Sequence, residues 1–171
     1  MVSYSEIVII MRKKTVVSLL VLLLVSCQAV SPPHIYTWLQ KRLSESCVST
    51  KGNFLVLFIS ERMCAACISQ EIININQSNL SKPILVVGVF ERNRYFQSVI
   101  GSILEDKFVP LFINVKEYTP ERLPLQPFYS VFDYQTQTII NIFYPPPCEP
   151  WTTLQYLQEM DDKLTLASAN Q

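Results

Sequence analysis

Two continuously apolar runs of strand length constrain the fold of this chain most strongly. They cover residues 54–59 and 83–90, and between them Ile68, Ile72 and Ile75 recur at helical spacing. An apolar run without polar alternation is typical of a strand that is covered on both faces. We therefore predict a strand, a helix and a second strand within one α/β domain, with the first strand near the centre of its sheet.

The flanking sequence predicts further elements around this unit. Helical spacing of apolar residues indicates one helix before the first strand and another after the second. Two β-rich runs separated by a short polar stretch predict an antiparallel hairpin, and the spacing of Thr152 and Gln155 suggests a capping box at the start of a last helix. The predicted elements are a helix over 34–46, the strands and helix named above, a helix over 95–104, a strand over 108–115, a proline-containing loop, hairpin strands over 128–133 and 138–144, and the last helix.

Charge and glycine content exclude two broad classes of function. The 171 residues include 14 Lys and Arg and 14 Asp and Glu, so there is no basic excess to bind a phosphate backbone. Nucleic acid is therefore not an expected partner. The chain has only three glycines, and they are scattered, which leaves no glycine-rich loop for a nucleotide.

A pair of cysteines, Cys64-Ala65-Ala66-Cys67, lies where the first apolar run gives way to the helical pattern. A cysteine in the first turn of a helix lies near unpaired backbone N–H groups and the positive end of the helix dipole, and both favour the thiolate. A thiolate attacks a disulfide sulfur, and a second nearby thiol resolves the mixed disulfide. We therefore assign Cys64 as the attacking residue and Cys67 as the resolving one.

Other functions of the cysteine pair remain as alternatives. A structural zinc site needs about four ligands, and the other candidates, Cys47, Cys148 and His34, are single residues. No metal site is therefore predicted. A cysteine protease would need a histidine partner, and His34 follows the prolines of the N-terminal segment. A permanently closed structural disulfide, or a redox-inactive domain that only binds a partner, stays open.

The N-terminal segment follows the layout of a secretory signal. Basic residues at 12–14 precede an apolar run over 16–25, which is too short to span a bilayer comfortably. The four residues Leu24-Val25-Ser26-Cys27 resemble the bacterial lipobox, and this resemblance implies cleavage before Cys27 and attachment of lipid to it. An ordinary signal peptide and an uncleaved anchor are the alternatives.

This organisation divides the chain into a signal segment over 1–26, a tether over 27–33 and a domain over 34–171. Met11 directly precedes the basic residues and is an alternative start. The lipoprotein signal implies a lipid-anchored protein of the bacterial cell envelope that faces the periplasm and contacts the membrane through its anchor. Thiols outside the cytoplasm meet oxidising conditions, in which disulfides persist.

The order of elements over about 34–165 resembles the thioredoxin-like superfamily, and in particular its membrane-tethered, extracytoplasmic branch of thiol-disulfide oxidoreductases. The resemblance implies an α/β three-layer sandwich whose central mixed sheet ends in an antiparallel hairpin, with helices on both faces. It also implies a cis-proline beside the cysteines, for which Pro127 is the candidate. Met63 stands where the family has a Trp, and with Gln126 and Pro127 it is the expected substrate-binding set.

The resemblance further implies an enzyme that exchanges electrons with protein disulfides or dithiols and that depends on an unidentified electron-transfer protein. No organic cofactor is expected. The alanines between the cysteines add no charge or polar hydrogen bond. Strongly oxidising members of the superfamily have a His between the cysteines, and this chain does not. We therefore favour a reductant or isomerase-like role, with a redox-inactive binding module as the alternative.

The topology makes two predictions about the remaining cysteines and one about the aromatic residues. Cys47 and Cys148 are expected at opposite ends of the sheet, so no disulfide is predicted between them. Cys148 is expected near the rim of the active face, as an auxiliary thiol or as a free thiol in a rigid loop. Five aromatic residues are expected to pack the sheet against its helices: Phe128, Tyr129, Phe143, Tyr144 and Trp151.

Overall fold

The computed structural model describes residues 33–46, 52–118, 120, 122–147 and 149–169. These residues form an α/β domain in which α1 precedes a β-α-β-α-β unit, and a β-hairpin and a long helix follow. The elements are α1 (Pro33–Glu45), β1 (Phe54–Ser60), α2 (Ala65–Gln77), β2 (Ile84–Phe90), α3 (Asn93–Ile100), β3 (Phe108–Asn114), β4 (Phe128–Asp133), β5 (Thr138–Phe143) and α4 (Pro150–Ala169).

The five strands form one mixed sheet with the order β3-β2-β1-β4-β5. β2 runs parallel to both β1 and β3, whereas β4 is antiparallel to β1 and pairs with β5 as a hairpin. β1 is therefore the central strand, as its uninterrupted apolar run predicted, and all seven of its residues are buried. The expectation of a mixed sheet that ends in an antiparallel hairpin is confirmed.

The alternation of side chains along β1 and β4 defines the two faces of the sheet. On one face Phe58 stacks on Phe128 at 5.0 Å between ring centroids, and Tyr36 of α1 meets Phe128 edge to face at 5.7 Å. On the other face the Tyr129 ring lies 6.1 Å from the ring of Tyr156 in α4, and its hydroxyl bonds to Glu71 of α2. Helices therefore cover both faces, with α1 opposite α2 and α4.

α3 joins α2 and α4 on the second face because Gly88 of β2 leaves room for a ring. An added Cβ at Gly88 would clash with the side chain of Phe96, which is fully buried. Gly88 is the register partner of Ile59, whose side chain shares a face with that of Tyr129. The parallel β1-α2-β2-α3-β3 path thus places α2 and α3 side by side, with the carboxyl ends of the parallel strands at one edge of the sheet.

Two predicted boundaries were wrong, each for a local reason. α3 ends at Ile100 rather than at residue 104, because Gly101 follows and the chain turns there. The last helix begins at Pro150, two residues before the proposed capping box. Proline suits the first helical position because its φ is already helical and no N–H is needed there. Thr152 donates its hydroxyl hydrogen to Glu149 Oε2 at 3.2 Å, and Gln155 bonds to Glu159 instead of closing a box.

The expected cis bond is also absent. All peptide bonds of the described residues, including Gln126–Pro127, are trans, which is the form that X-Pro bonds favour unless the fold imposes the other. The signal segment, Cys27, Cys47 and Cys148 lie outside the described residues, so the lipid attachment, the auxiliary thiol and the Cys47–Cys148 pairing stay predictions. Within the described part of the chain, no helix has the length and apolar character needed to cross a membrane.

Candidate active site

A tight turn between β1 and α2 sets the position of the cysteine pair. The Met63 amide donates to the carbonyl of Ser60 at 3.1 Å, and the Ser60 amide donates to the Met63 thioether at 3.2 Å. Met63 is 7% exposed, so its side chain anchors the turn against the core. Cys64 consequently falls at the residue that caps α2, where the backbone is not yet helical.

Cys64 caps the helix with its sulfur. The backbone amide of Cys67 donates to Cys64 Sγ across 3.4 Å, and the Cys64 carbonyl accepts the first helical bond from Ile68 at 3.0 Å. Both thiols are free; Cys64 is exposed and Cys67 is half-buried. A cap position normally held by a Ser, Thr or Asp oxygen is therefore filled by a thiol. A negative charge on that sulfur would strengthen the hydrogen bond from the first turn of the helix.

The two thiols differ in acidity because one donates to the other. The hydrogen bond from the Cys67 side chain, followed by the one from the Cys67 backbone amide, lowers the pKa of Cys64. The hydrogen bond with the Cys64 side chain, together with partial burial, raises the pKa of Cys67. The arrangement therefore favours a thiolate at the exposed sulfur and a protonated thiol at the half-buried one. The sequence neighbour Arg62 is exposed and is not among the groups that lower the pKa of Cys64.

A cavity of about 290 Å³ opens beside Cys67, and we call it the cysteine cavity. Residues of α2 form one wall, the loop before β4 forms another, and the segment between β5 and α4 forms a third. Its lining is largely apolar because five prolines contribute to it. The lining residues are Ala66, Cys67, Gln70, Glu71, Gln126, Pro127, Pro145, Pro146, Pro147, Glu149, Pro150 and Thr153.

Glu71 lines the cysteine cavity and was not among the predicted site residues. It lies one helical turn after Cys67 and is only 4% exposed. Tyr129 donates to its Oε2 at 2.9 Å and Asn74 donates to the same oxygen at 3.2 Å. Burial raises the pKa of Glu71, while hydrogen bonds from Asn74, Tyr129 and Thr153 oppose that shift. A buried carboxyl group with a raised pKa thus lies one helical turn from the cysteine assigned as resolving.

One sequence signal could have revealed Glu71. Glu71 lies three residues after Ile68 and four after Cys67. This spacing puts it on the buried face of α2 that Ile68, Ile72 and Ile75 mark. A charged residue on the buried face of a helix costs free energy unless its partners are supplied elsewhere. Asn74 of the same helix is one partner, but the other two, Tyr129 and Thr153, come from β4 and α4, more than fifty residues away, so the sequence does not display them.

The structure groups some of the predicted site residues and separates others. Cys67, Gln126 and Pro127 line the same cavity, with Cys64 at its helix start. Met63 differs from its expected substrate-binding role, because its side chain is buried and its sulfur accepts from the backbone. Cys148 lies outside the described residues, but its neighbours Pro147 and Glu149 line the cysteine cavity.

A second and larger cavity lies on the opposite side of α2, between α2 and α3. This α2–α3 cavity has a volume of about 470 Å³. Its walls are mainly apolar and hydroxyl side chains, and Glu61 is the single titratable group among the described residues that line it. They are Ser60, Glu61, Met63, Ala65, Ile68, Ser69, Ile72, Ile73, Asn76, Phe90, Ser98, Val99 and Ser102.

Metal ligation and sequence relatives add no competing assignment. Across the described ranges, no three His, Cys, Asp or Glu side chains are grouped so that they could hold a metal ion. No protein-family model, curated protein or solved structure matches the chain. Function must therefore be inferred from the geometry around Cys64 and Cys67.

Proposed function

We propose that this protein is a thiol-disulfide oxidoreductase with a thioredoxin-like fold, which exchanges electrons with protein disulfides through Cys64 and Cys67. The proposal depends above all on one observation: the exposed Cys64 sulfur caps α2 and accepts a hydrogen bond from the Cys67 amide at 3.4 Å. The mixed sheet, with the cysteine pair after its central strand and a hairpin at one side, supports the fold assignment.

The chemistry follows from the difference between the two thiols. The Cys64 thiolate attacks one sulfur of a substrate disulfide, and the other substrate sulfur leaves as a thiolate. Cys67 then loses its proton and attacks Cys64 Sγ, which releases the second substrate thiolate. The substrate disulfide gains two electrons and is released as two thiolates, which take up protons from solvent, and the protein is left with a Cys64–Cys67 disulfide. A dithiol of an electron-transfer protein reverses these steps to restore both thiols.

Glu71 supports the second step as the acceptor of the Cys67 proton. The hydrogen bond with Cys64 and burial keep Cys67 protonated at rest, so resolution needs a base at that moment. Glu71 lines the same cavity one turn away. Its raised pKa is closer to that of a thiol than the pKa of an ordinary carboxylate is, so proton transfer from Cys67 is less unfavourable. No other titratable group that lines the cysteine cavity in the described structure is as deeply buried.

The groups around Cys64 favour a reductant or isomerase-like role. The hydrogen bonds that lower its pKa come from Cys67 and the backbone of Ala66, without a cationic side chain. Strong oxidants in thiol-disulfide exchange owe their potential to strong stabilisation of the reduced form. A site with these few donors stabilises the reduced form less, so electrons leave it more readily.

Trapping experiments test the proposal. In a Cys67→Ala variant, Cys64 can attack but the mixed disulfide cannot be resolved, so disulfide-linked partners should accumulate and disappear on treatment with dithiothreitol. Cys64→Ala is the matched control and should capture none. If neither variant captures a partner and Cys64 in the wild type fails to reduce a small disulfide, the proposal is wrong. Retention of a partner by the double Cys→Ser variant would instead support a redox-inactive binding module.

We further propose that Cys27 is lipidated and holds the domain in the cell envelope, facing the periplasm. The lipobox-like Leu24-Val25-Ser26-Cys27 supports this assignment. Intact-mass analysis of the native protein should show a chain that begins at Cys27 with added lipid, whichever of Met1 and Met11 is the start. An unmodified N-terminus, or unchanged membrane association of a Cys27→Ala variant, would contradict it.

A further inference from the structure

Two large apolar side chains that adjoin lining residues of the cysteine cavity in the chain are exposed to solvent. Leu125 is 75% exposed and directly precedes Gln126, while Trp151 is 64% exposed and directly follows Pro150. The remaining four aromatic residues that were expected to pack the sheet are buried or half-buried. Trp151 alone departs from that expectation, and leaving an indole in water forfeits the free energy that its burial would give.

The wall between these two residues restricts how a partner can bind. Pro145, Pro146 and Pro147 have no backbone N–H groups, so they cannot donate hydrogen bonds to a partner strand. The only backbone hydrogen bonds that this wall can offer are those that its carbonyls accept, so apolar side-chain contact supplies most of its binding surface. An exposed Trp beside a concave apolar wall is the kind of anchor that dominates protein interfaces, and the exposed Leu125 adds apolar contact area to it.

We propose that Leu125, the wall of prolines 145–147 and Trp151 form a docking surface for a polypeptide segment whose reacting cysteine is flanked by large apolar side chains. This inference rests on the proposed function and names its substrate class. The surface is continuous with the cavity beside Cys67, where the partner's sulfur must arrive. Glu149 lines the same cavity, and a carboxylate there is compatible with a peptide but repels an anionic lipid surface.

Single-turnover reduction by the fully reduced protein tests this docking surface. Two disulfide-linked peptides are compared, one with Leu and Phe beside each cysteine and one with Ser at those positions, and hydroxyethyl disulfide measures the intrinsic reactivity. The wild type should reduce the apolar peptide about tenfold faster than the serine peptide, because burial of one large apolar side chain is sufficient for such a difference. Leu125→Ser and Trp151→Ser should each remove most of this preference and leave the rate with hydroxyethyl disulfide unchanged.

Leu166→Ser is the matched control, because Leu166 is 66% exposed and lies on the opposite end of the same helix as Trp151. It should keep the full preference for the apolar peptide. Equal rates with the two peptides, or equal loss in the Leu166→Ser variant, would overturn the docking surface. Failure to reduce hydroxyethyl disulfide would instead refute the proposed function itself, so the two failures are distinguishable.

Tryptophan fluorescence separates a peptide partner from a membrane. Trp38 is 8% exposed and Trp151 is 64% exposed, so a change in emission on binding reports Trp151. With both active-site cysteines replaced by Ser, the apolar peptide should shift the emission to shorter wavelength. Vesicles of phosphatidylethanolamine and phosphatidylglycerol should not. A shift with vesicles alone would overturn the proposal in favour of a membrane contact.

Discussion

The two cavities that flank α2 differ in size and in chemistry, and the smaller one holds the reactive groups. The α2–α3 cavity has a volume of about 470 Å³ and the cysteine cavity about 290 Å³. In the larger cavity the carboxyl group of Glu61 has a structural role, because its Oε2 accepts a hydrogen bond from the Glu91 backbone amide at 2.6 Å. In the smaller one a resolving thiol and a buried carboxyl group with a raised pKa lie one helical turn apart.

This difference indicates that the strand-to-helix turn, rather than cavity volume, sets the position of the proposed thiol chemistry. The turn places Cys64 at the first unpaired amides of α2 and directs Cys67 toward α4 and the β4 loop. The opposite side of the same helix faces α3 across the α2–α3 cavity. Changes on the cysteine side should therefore alter reactivity, whereas changes on the α3 side should alter stability.

The largest expected effect is on the resolving step. Glu71→Gln keeps an oxygen for Tyr129 and Asn74 but removes the proton acceptor, so resolution of the mixed disulfide should slow by about a hundredfold or more. Rapid acid quenching and mass spectrometry measure the lifetime of the mixed disulfide. Glu61→Gln, the matched change in the α2–α3 cavity, should leave that lifetime unchanged. Equal lifetimes in the wild type and the Glu71→Gln variant would remove the base from the mechanism.

A change on the α3 side should affect stability instead. Gly88→Ala adds a Cβ where the Phe96 ring now lies, and such overpacking costs about 1–3 kcal/mol in the free energy of unfolding. Urea unfolding measures this loss. The rate of thiol-disulfide exchange per folded molecule should remain that of the wild type. A large drop in that rate would show that the two sides of α2 are not independent.

A smaller effect concerns the pH dependence of stability. Because burial raises the pKa of Glu71 in the folded protein, the folded state holds this proton more tightly than the unfolded state does. The contribution is fully present below the unfolded pKa and is lost as pH rises through the folded pKa. The Glu71→Gln variant lacks this loss, so its free energy of unfolding should rise relative to the wild type between acidic and neutral pH.

Urea unfolding over a pH series checks this prediction, with Glu61→Gln as the control. The difference in free energy of unfolding between the Glu61→Gln variant and the wild type should stay nearly constant with pH. A Glu71→Gln difference that is flat, or that falls toward neutral pH, would show that Glu71 is not destabilised by burial. A slower but more stable variant would indicate that the buried carboxyl group is kept for the reaction.

Local patterns predicted the fold well. The apolar runs over 54–59 and 83–90 identified β1 and β2, and the helical spacing of the isoleucines between them identified α2. These elements are predictable because the apolar pattern that identifies each one lies within a single short segment of the chain. The start of α2 was also predictable, since a thiol pair directly after a buried strand falls at the first turn of the following helix.

The site required tertiary contacts that no local pattern contains. Two of the three hydrogen-bond partners of buried Glu71, Tyr129 and Thr153, approach it from β4 and α4. Met63 precedes the cysteines in sequence and was expected to meet substrate, but the turn directs it into the core. Trp151 was expected to pack against the sheet, yet it lies in the first turn of α4 with its ring exposed to solvent.

The most direct test of the difference between the two thiols is their rate of alkylation as a function of pH. Reduced native protein is treated with iodoacetamide at each pH, and peptide mass spectrometry quantifies each cysteine; the same protein unfolded in urea provides the ordinary thiol midpoint. Cys64 should be alkylated first, with a midpoint below its value in urea, and Cys67 should react later, with a midpoint above its own. Identical native and unfolded midpoints, or prior alkylation of Cys67, would contradict the assignment of Cys64 as the attacking thiol.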